Sequence, residues 1–284
     1  MNARRRAVLL LATALGCGSP SKSGGDAGPV SDAGPGDAGA VVPGSDGGLP
    51  DGGCPYRFCE EFEDYSGGVT NGMVLGPWTA SVGGAGTTVA VDALNPWGGT
   101  KALHVTIPYG GADGGSARGT LNQKRDGGLV MGNDLFGRAE IFYADTGSNG
   151  LPLAVHSWIF NASGKDPDGG SVTMNLGGGG AKLQINYHPP APLTEQSVQG
   201  GVMTTGTWHC LQWQYDGSGT PTDDVAMLWI DGSPAVTVPA SKGWGFPVPW
   251  TSFDFGFTHY QTLPNSVEIF LDHLAIDGQR VPCP

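Results

Sequence analysis

The chain has 284 residues, of which 50 are glycine and 22 are proline, and only 14% are charged. Inside a helix, glycine costs roughly 1 kcal/mol and proline roughly 3 kcal/mol relative to alanine, so this composition excludes a mainly helical protein. The glycines follow no three-residue period, which excludes collagen. With 39% hydrophobic and 9% aromatic residues, the chain is too apolar to be disordered throughout. A folded core must therefore lie beside a glycine-rich segment.

Residues 1–17 have the charge and length of a signal peptide. Three arginines beginning at Arg4 precede an apolar run, 7–15, that is too short to span a bilayer. The sequence at 14–17, Ala-Leu-Gly-Cys, resembles the bacterial lipoprotein cleavage box, which implies that Cys17 is lipidated. Gly18 stands where a retention signal would place aspartate, which implies export through the inner membrane to the outer membrane. An ordinary secretory signal with an incidental cysteine, and a twin-arginine signal, are the alternatives.

Residues 18–53 have the composition of a flexible tether. They include 12 glycines, 5 prolines, 5 serines and 5 aspartates, and they contain no aromatic residue. Such a segment cannot bury enough apolar surface to offset the entropy of ordering its backbone. We expect a disordered linker that holds the following domain away from the lipid.

All 25 aromatic residues lie in 54–284, which is long enough for one domain with a sizeable core. This segment has 10 basic and 21 acidic residues, a net charge of −11. Nucleic acids and anionic lipids bind cationic surfaces, so neither is expected as a partner, and membrane contact is expected only through the lipid anchor. We expect a monomer.

If Cys17 carries lipid, four cysteines remain, Cys54, Cys59, Cys210 and Cys283. An even number of cysteines in an exported domain predicts two disulfides, with three possible pairings. We expect one pair to join an end of the domain to its body. No cysteine or histidine spacing indicates zinc.

The domain is predicted to consist of strands, because short alternating or aromatic-rich runs recur between turn sequences such as Asp113-Gly114-Gly115 and Asp231-Gly232. The predicted strands are Arg57–Glu63, Thr87–Asp92, Ala102–Ile107, Leu135–Asp145, Pro152–Phe160, Ser171–Leu176, Lys182–His188, Thr207–Tyr215, Val225–Asp231, Phe253–Tyr260 and Val267–Ile276. No convincing amphipathic helix separates them. This pattern predicts an all-β fold, two antiparallel sheets packed as a jelly-roll sandwich.

Six stretches of the domain, in order along 58–283, together resemble one family. They are Phe58-Cys59-Glu60-Glu61-Phe62-Glu63, Gly137-Arg138-Ala139-Glu140, Trp208-His209-Cys210 with Leu228-Trp229-Ile230-Asp231-Gly232, Gly256-Phe257-Thr258-His259-Tyr260-Gln261, and Leu271-Asp272-His273-Leu274-Ala275-Ile276. They resemble concanavalin A-like jelly rolls, and most of all the fungal cellulose-induced proteins related to glucuronan lyases and bacterial lipoproteins with the same core. The resemblance implies a polysaccharide partner.

The same resemblance implies a structural Ca²⁺ between the first and last strands. The matching carboxylates are Glu63 and Asp272, with further oxygens expected from the loop 92–101, near Asn95 and Gly99. Calcium binds six to eight oxygens, so two carboxylates from opposite ends of the domain would pin termini that otherwise fray. The alternative is that both are ordinary exposed strand residues.

A uronan lyase must neutralise a sugar carboxylate, abstract the neighbouring C5 proton and protonate the leaving oxygen. Tyr260 matches the family's catalytic tyrosine. Phe253, Phe255, Phe257 and His259 share one face of their predicted strand, which should be the core face. Thr258 and Tyr260 should then face the open side, where Thr258 and Gln261 are candidates for substrate binding.

Arg138 and Glu140 share one face of a central strand, which favours a groove or solvent over the core. Arg138 is a candidate catalytic cation and Glu140 a candidate substrate ligand. His156 has the parity of Trp158 and Phe160, so it is either a catalytic residue in a groove with a stacking tryptophan or a buried core histidine. The arginine that the family places two residues after this histidine is replaced by Trp158.

Gln184 lies on one face of its strand with Asn186 and His188, where these residues either bind sugar hydroxyls or form a solvated face. The sequence therefore favours a surface-anchored lipoprotein that binds polysaccharide or cleaves it by β-elimination. The alternative is a non-catalytic adhesion or structural lipoprotein with a lectin-like or laminin-G-like sandwich. The negative charge of the domain would repel an acidic polymer at long range, whereas a neutral glycan avoids this repulsion.

Overall fold

The protein is described from a computed structural model that covers residues 54–108, 117–124, 129–144, 156–165, 170–179, 182–217, 224–246, 249–261 and 266–284. The chain divides into two units, Met1–Ser45 and Asp46–Pro284, and the described residues all belong to the second. The predicted signal peptide, Cys17 and the tether lie outside them. Within the described ranges no helix has the length and apolar character needed to cross a membrane.

The described residues form seventeen strands and a single turn of 3₁₀-helix, Ala240–Lys242. The strands are β1 (Phe58–Glu60), β2 (Gly67–Val69), β3 (Val74–Leu75), β4 (Trp78–Gly83), β5 (Thr88–Asp92), β6 (Ala102–Ile107), β7 (Ala117–Lys124), β8 (Asp134–Tyr143), β9 (Ser157–Lys165), β10 (Ser171–Gly179), β11 (Lys182–His188), β12 (Gln196–Gly200), β13 (Trp208–Asp216), β14 (Val225–Ile230), β15 (Ser233–Val238), β16 (Trp250–His259) and β17 (Val267–Asp277). The prediction of an all-β domain is confirmed.

These strands pair antiparallel in two sheets. The first has the order β15-β14-β13-β8-β17-β6-β5-β2, with β1 paired to β17, and the second has the order β12-β11-β10-β9-β16-β7-β4-β3. Hairpin neighbours such as β13-β14-β15 and β9-β10-β11-β12 alternate with long crossovers such as β8-β17 and β9-β16, as expected for a jelly roll. The fold is therefore the two-sheet antiparallel jelly-roll sandwich that the sequence predicts.

One hydrophobic core lies between the sheets, and alternation along the strands builds it. On β16, Phe253, Phe255 and Phe257 are fully buried in this core, and His259 is buried on the same face. On β8, Gly137 lies so close to the indole of Trp213 that a β-carbon would not fit there. The glycine therefore lets a large aromatic ring pack flat against the neighbouring strand.

The disulfides pair Cys54 with Cys59 and Cys210 with Cys283. The second joins β13 to the C-terminal segment, so the prediction that one pair ties an end of the domain to its body is confirmed. The side chain of Gln212 donates to the carbonyl of Val281, which lies in the same segment. The C-terminal residues are thus fixed to the outer face of the first sheet.

All eleven predicted strands overlap observed ones, but six strands were not predicted. These are β2, β3, β4, β7, β12 and β15. The first two contain only three and two residues, too few for an alternation to be recognised. The predicted strand Pro152–Phe160 also differs, since β9 runs from Ser157 to Lys165 and residues 152–155 lie outside the described ranges.

Candidate functional site

The outward face of the second sheet is polar across almost its whole width, and we call it the polar face. Five residues paired strand to strand, one on each of β7, β16, β9, β10 and β11, form a row across its middle. This polar row consists of Asn122, Asp254, Asn161, Asn175 and Asn186. The inward face of the same strands is apolar, so this row of four amides and one carboxylate lies outside the core; Asn175 and Asn186 are buried, and the other three residues are half-buried.

Asp254 is held at the centre of this row by two amides. The side-chain amide of Asn161 donates to one carboxylate oxygen of Asp254 at 2.7 Å, and the amide of Asn122 donates to the other. Both asparagines thus use their N–H groups on the carboxylate. Their carbonyl oxygens have no hydrogen-bond partner among the described residues.

A depression of about 380 Å³ lies on the polar face over β4, β7, β16 and the start of β9. The described residues that line it are Thr79, Ala80, Ser81, Arg118, Thr120, Asn122, Trp158 and Asp254. Two of them carry charge, Arg118 and Asp254. The Arg118 guanidinium donates from Nε to the hydroxyl of Ser81 at 2.8 Å, which fixes its direction.

Tyr260 follows directly after β16, beside this depression, and its side chain is 47% exposed. The indole Nε1 of Trp158 donates to the phenolic oxygen of Tyr260 at 2.7 Å. The ring of His156 lies 5.4 Å from the tyrosine ring, and the backbone N–H of Tyr260 donates to the carbonyl of His156 at 3.1 Å. The tyrosine, the tryptophan and the histidine are therefore brought together, which favours the groove alternative for His156 over the core alternative.

Neighbouring side chains complete the surroundings of His156. Its Nε2 accepts from the amide of Asn186 at 2.5 Å, and its backbone N–H donates to the side chain of Gln261 at 3.2 Å. Gln184 contacts the same Asn186 side chain through its amide. Gln184, Gln261 and Thr258 thus all lie on or beside the polar face, where the sequence placed them.

An acidic side chain faces the two histidines of this area. Glu195 lies 4.0 Å from Nε2 of His156 and 3.8 Å from Nδ1 of His188. Burial lowers the pKa of His188, and the nearby His156 adds to that effect while Glu195 opposes it. His188 is therefore mainly neutral near pH 7 and able to accept a hydrogen bond.

Arg138 and Glu140 lie elsewhere, and this corrects the sequence interpretation. Both are on β8, in the first sheet, whereas Tyr260 follows a strand of the second. The Arg138 side chain donates to the carbonyl of Pro282 at 3.0 Å and lies over the ring of Tyr56. Glu140 is buried, and burial raises its pKa to about 7. The two charges share a face, as predicted, but the chain termini contact that face, so it is not a groove.

A second correction concerns the parity of Trp158. The sequence grouped it with Phe160, yet Phe160 lies in the core while Trp158 lines the depression. The pairing of β9 with β10 shifts between Leu176 and Gly177, where β9 has one extra residue, and Ile159 and Phe160 both lie in the core, so the alternation along β9 reverses and Trp158 faces outward. The pairing of β9 with β16 also shifts, between Phe255 and Thr258. Gly256 occupies this irregularity with φ 146°, where a β-carbon would meet the backbone of Gly119.

The sequence reasoning also missed Arg118, because β7 was not predicted. In 117–123, Arg118, Thr120 and Asn122 alternate with small or apolar residues, and this alternation is the signal that could have found the strand. Arg118 pairs across the sheet with Thr258, two residues before Tyr260. Arg118 therefore lies on the polar face, in the strand next to the one that Tyr260 follows, and its guanidinium is directed to Ser81 on β4.

The two carboxylates of the expected calcium site meet at one loop. The backbone N–H of Trp97 donates to Asp272 at 3.0 Å, and the backbone N–H of Thr100 donates to Glu63 at 2.6 Å. Gly99 lies so close to the Glu63 carboxylate that a β-carbon would not fit. Burial raises the pKa of Asp272 to about 7, and Glu63 and Glu61 add to the shift.

Two carboxylates from opposite ends of the domain face this loop, and the groups that the loop presents to them are the backbone N–H groups of Trp97, Thr100 and Lys101. Carboxylate and carbonyl oxygens are the ligands that calcium prefers. Among the described residues, however, no three histidine, cysteine, aspartate or glutamate side chains form a metal-binding group. A calcium ion held by Glu63 and Asp272 would thus depend on backbone oxygens and water for its remaining ligands.

No protein-family model matches the sequence, and no curated protein matches it. Among solved structures, the chain is similar to a cellulose-induced protein, Cip1, with a TM-score of 0.55, 19% identity, and coverage of 80% of this chain and 100% of that chain. It is also similar to an endo-β-1,4-glucuronan lyase from the fungus Trichoderma reesei, with a TM-score of 0.55, 15% identity, and coverage of 78% and 95%. The likeness shows a shared fold. The resemblance inferred from sequence motifs is thus confirmed at the level of architecture.

Proposed function

We propose that the polar face binds a uronate-containing polysaccharide and cleaves it by β-elimination. The observation that carries the proposal is the contact of Tyr260 with His156 and Trp158 on an open face that also carries Arg118 on the neighbouring strand. Tyrosine, histidine and arginine are the side chains that suit the proton transfers and the carboxylate neutralisation of this reaction. The shared architecture with a glucuronan lyase is consistent with it.

In the proposed reaction, Arg118 pairs with the uronate carboxylate and stabilises the charge that develops on it. The C5–H bond breaks, its electron pair forms the C4–C5 double bond, and the bond from C4 to the leaving oxygen breaks. Tyr260 takes the C5 proton or supplies a proton to the leaving oxygen, and His156 serves the other step. The indole N–H of Trp158 fixes the phenolic oxygen of Tyr260 and leaves its O–H available for donation.

Ultraviolet absorbance of the unsaturated product, after incubation with glucuronan, alginate and pectin, tests the activity. Positioned acid–base groups contribute roughly 10²–10⁴-fold, so Tyr260→Phe should lower kcat at least 100-fold. Arg118→Ala should raise KM and lower kcat. Tyr56→Phe and Arg57→Ala are matched controls outside the polar face and should behave like the wild type.

Affinity electrophoresis in gels containing each polymer separates binding from cleavage. Retention of the protein without any unsaturated product would indicate that it binds the polysaccharide but does not cleave it. If the protein is not retained by any of the polymers and forms no product, the whole proposal is contradicted and an adhesion or structural role is favoured.

We further propose that Glu63 and Asp272 hold a structural Ca²⁺. The charge that Ca²⁺ would neutralise destabilises the apo protein, so the melting temperature should rise when Ca²⁺ replaces a chelator. Glu63→Gln and Asp272→Asn should abolish the rise, whereas Asp64→Asn, an exposed acid beside Glu63, should retain it. An unchanged melting temperature in the wild type would contradict the site.

We also propose that the chain is anchored to the outer membrane through a lipid on Cys17. Metabolic labelling with a radioactive fatty acid should mark the wild type, and Cys17→Ala should abolish the label and release the protein from the membrane fraction. A labelled Cys17→Ala variant would overturn the assignment.

A further inference from the structure

The depression on the polar face has opposite charges at its two ends. On β7, Arg118 and Asn122 are four residues apart on the same face, and Asn122 pairs with Asp254 on β16. At 3.3–3.4 Å per residue, this places the guanidinium end and the Asp254 end roughly 13 Å apart along the strands. Thr120 lies between them on the same face. The separation is greater than the length of one sugar ring, so each end faces a different sugar residue.

The Asp254 end presents a carboxylate beside the hydroxyl of Thr79, which pairs with Asn122 across the sheet. The amides of Asn122 and Asn161 both donate to the Asp254 carboxylate, and their own carbonyl oxygens are buried, so the carboxylate is the charged group at this end. No salt bridge joins Asp254 to a cation within the described ranges, so its negative charge acts on whatever lies above it. The negative charge of this carboxylate favours hydroxyl or amide N–H donors, and it repels a second carboxylate.

We infer that the site takes a heteropolysaccharide in which a uronate at Arg118 is followed by a sugar without a carboxylate at Asp254. A homopolymer of uronate would place one carboxylate on the guanidinium and another, from a sugar further along the polymer, against Asp254. This inference rests on the proposed function, because it assumes that a uronate binds at Arg118. It makes Asp254 the residue that selects against polyuronates.

The test compares two polymers as substrates of the full chain. Glucuronan carries a carboxylate on every residue, and deacylated gellan carries one glucuronate followed by three neutral sugars. The wild type should cleave gellan with a kcat/KM at least 10-fold higher than that for glucuronan. Asp254→Asn, in which the new side chain has nearly the same shape, should raise kcat/KM for glucuronan several-fold. The ratio of kcat/KM for gellan to kcat/KM for glucuronan should therefore fall.

Asp64→Asn is the matched control, because it removes one negative charge from an exposed position outside the polar face. It should leave the ratio unchanged. If Asp254→Asn does not fold, Thr79→Asp places a second carboxylate at the exposed position that pairs with Asn122, and it should widen the ratio of kcat/KM for gellan to kcat/KM for glucuronan.

Two outcomes would overturn the inference while leaving the proposed function intact. One is a wild type that prefers glucuronan, and the other is a ratio that responds equally to Asp254→Asn and Asp64→Asn. The absence of both product and retention with either polymer would overturn the proposed function and this inference together.

Discussion

Single residues on β16 show how alternation assigns roles to neighbours in the chain. His259 faces the core and Tyr260 faces the open side, although the two are adjacent. His259 Nδ1 donates to the carbonyl of Gln261 at 2.6 Å, while its Nε2 is buried without a partner among the described residues. A proton added at Nε2 would place a charge in the core, and burial accordingly lowers the pKa of His259.

This histidine should make stability depend on pH. Its pKa in the folded protein lies below the unfolded value of about 6.5, so the unfolded state binds more protons between these two values. The free energy of unfolding should therefore fall as pH is lowered through about 6.5. His259→Asn retains a donor toward Gln261 and removes the titration, so the variant should lose less stability than the wild type between pH 7 and pH 5.

The measurement is the difference in melting temperature between the two proteins across that range. Glu140 and Asp272, with pKa values raised to about 7 by burial, change stability in the opposite direction. They are present in both proteins, so their effect cancels in the difference. A difference that stays constant with pH would contradict the role given to His259.

Elements rather than residues decide how the termini are held. The C-terminal segment after β17 lies on the first sheet, where Arg280 stacks over Trp229 at 4.3 Å and Val281 is buried. The disulfide from Cys283 to Cys210 on β13 closes a loop with a sequence separation of 73, while Cys54–Cys59 spans only 5. The longer loop restricts the unfolded chain far more.

We expect the two disulfides to differ in their contribution to stability. The chain-entropy relation gives about 4 kcal/mol for the longer loop and about 2 kcal/mol for the shorter one. Replacing Cys210 and Cys283 together by alanine should therefore lower the unfolding free energy about twice as much as replacing Cys54 and Cys59. Urea unfolding of the two double variants measures this, and equal losses would contradict it.

On the scale of the whole molecule, net charge governs the approach of an acidic polymer. The chain has a formal net charge of −12 at pH 7, and removal of the three arginines in 1–17 would give −12 − 3 = −15. Long-range repulsion of a polyanion is screened beyond about 8 Å at physiological ionic strength, whereas contacts at Arg118 are screened less.

This balance predicts an unusual response to salt. Between about 10 mM and 150 mM ionic strength, KM for a uronate-containing polymer should fall, because screening removes repulsion at a distance before it weakens the local ion pair. Binding of a neutral glycan should not change. Steady-state kinetics over this range test the prediction, and a KM that rises with salt would indicate that attraction at the site outweighs the net charge.

The sequence by itself determined the fold class, the predicted core face of β16 and the presence of two disulfides. These follow from local alternation and composition, which act within a few residues of one another. Only the tertiary structure decided which charges reach the site. Arg138 and Arg118 both lie on strands with an outward polar face, but strand order places Arg118 beside Thr258 in the second sheet and Arg138 under the chain termini on the first. Sheet membership depends on pairing between distant segments, and no local pattern encodes it.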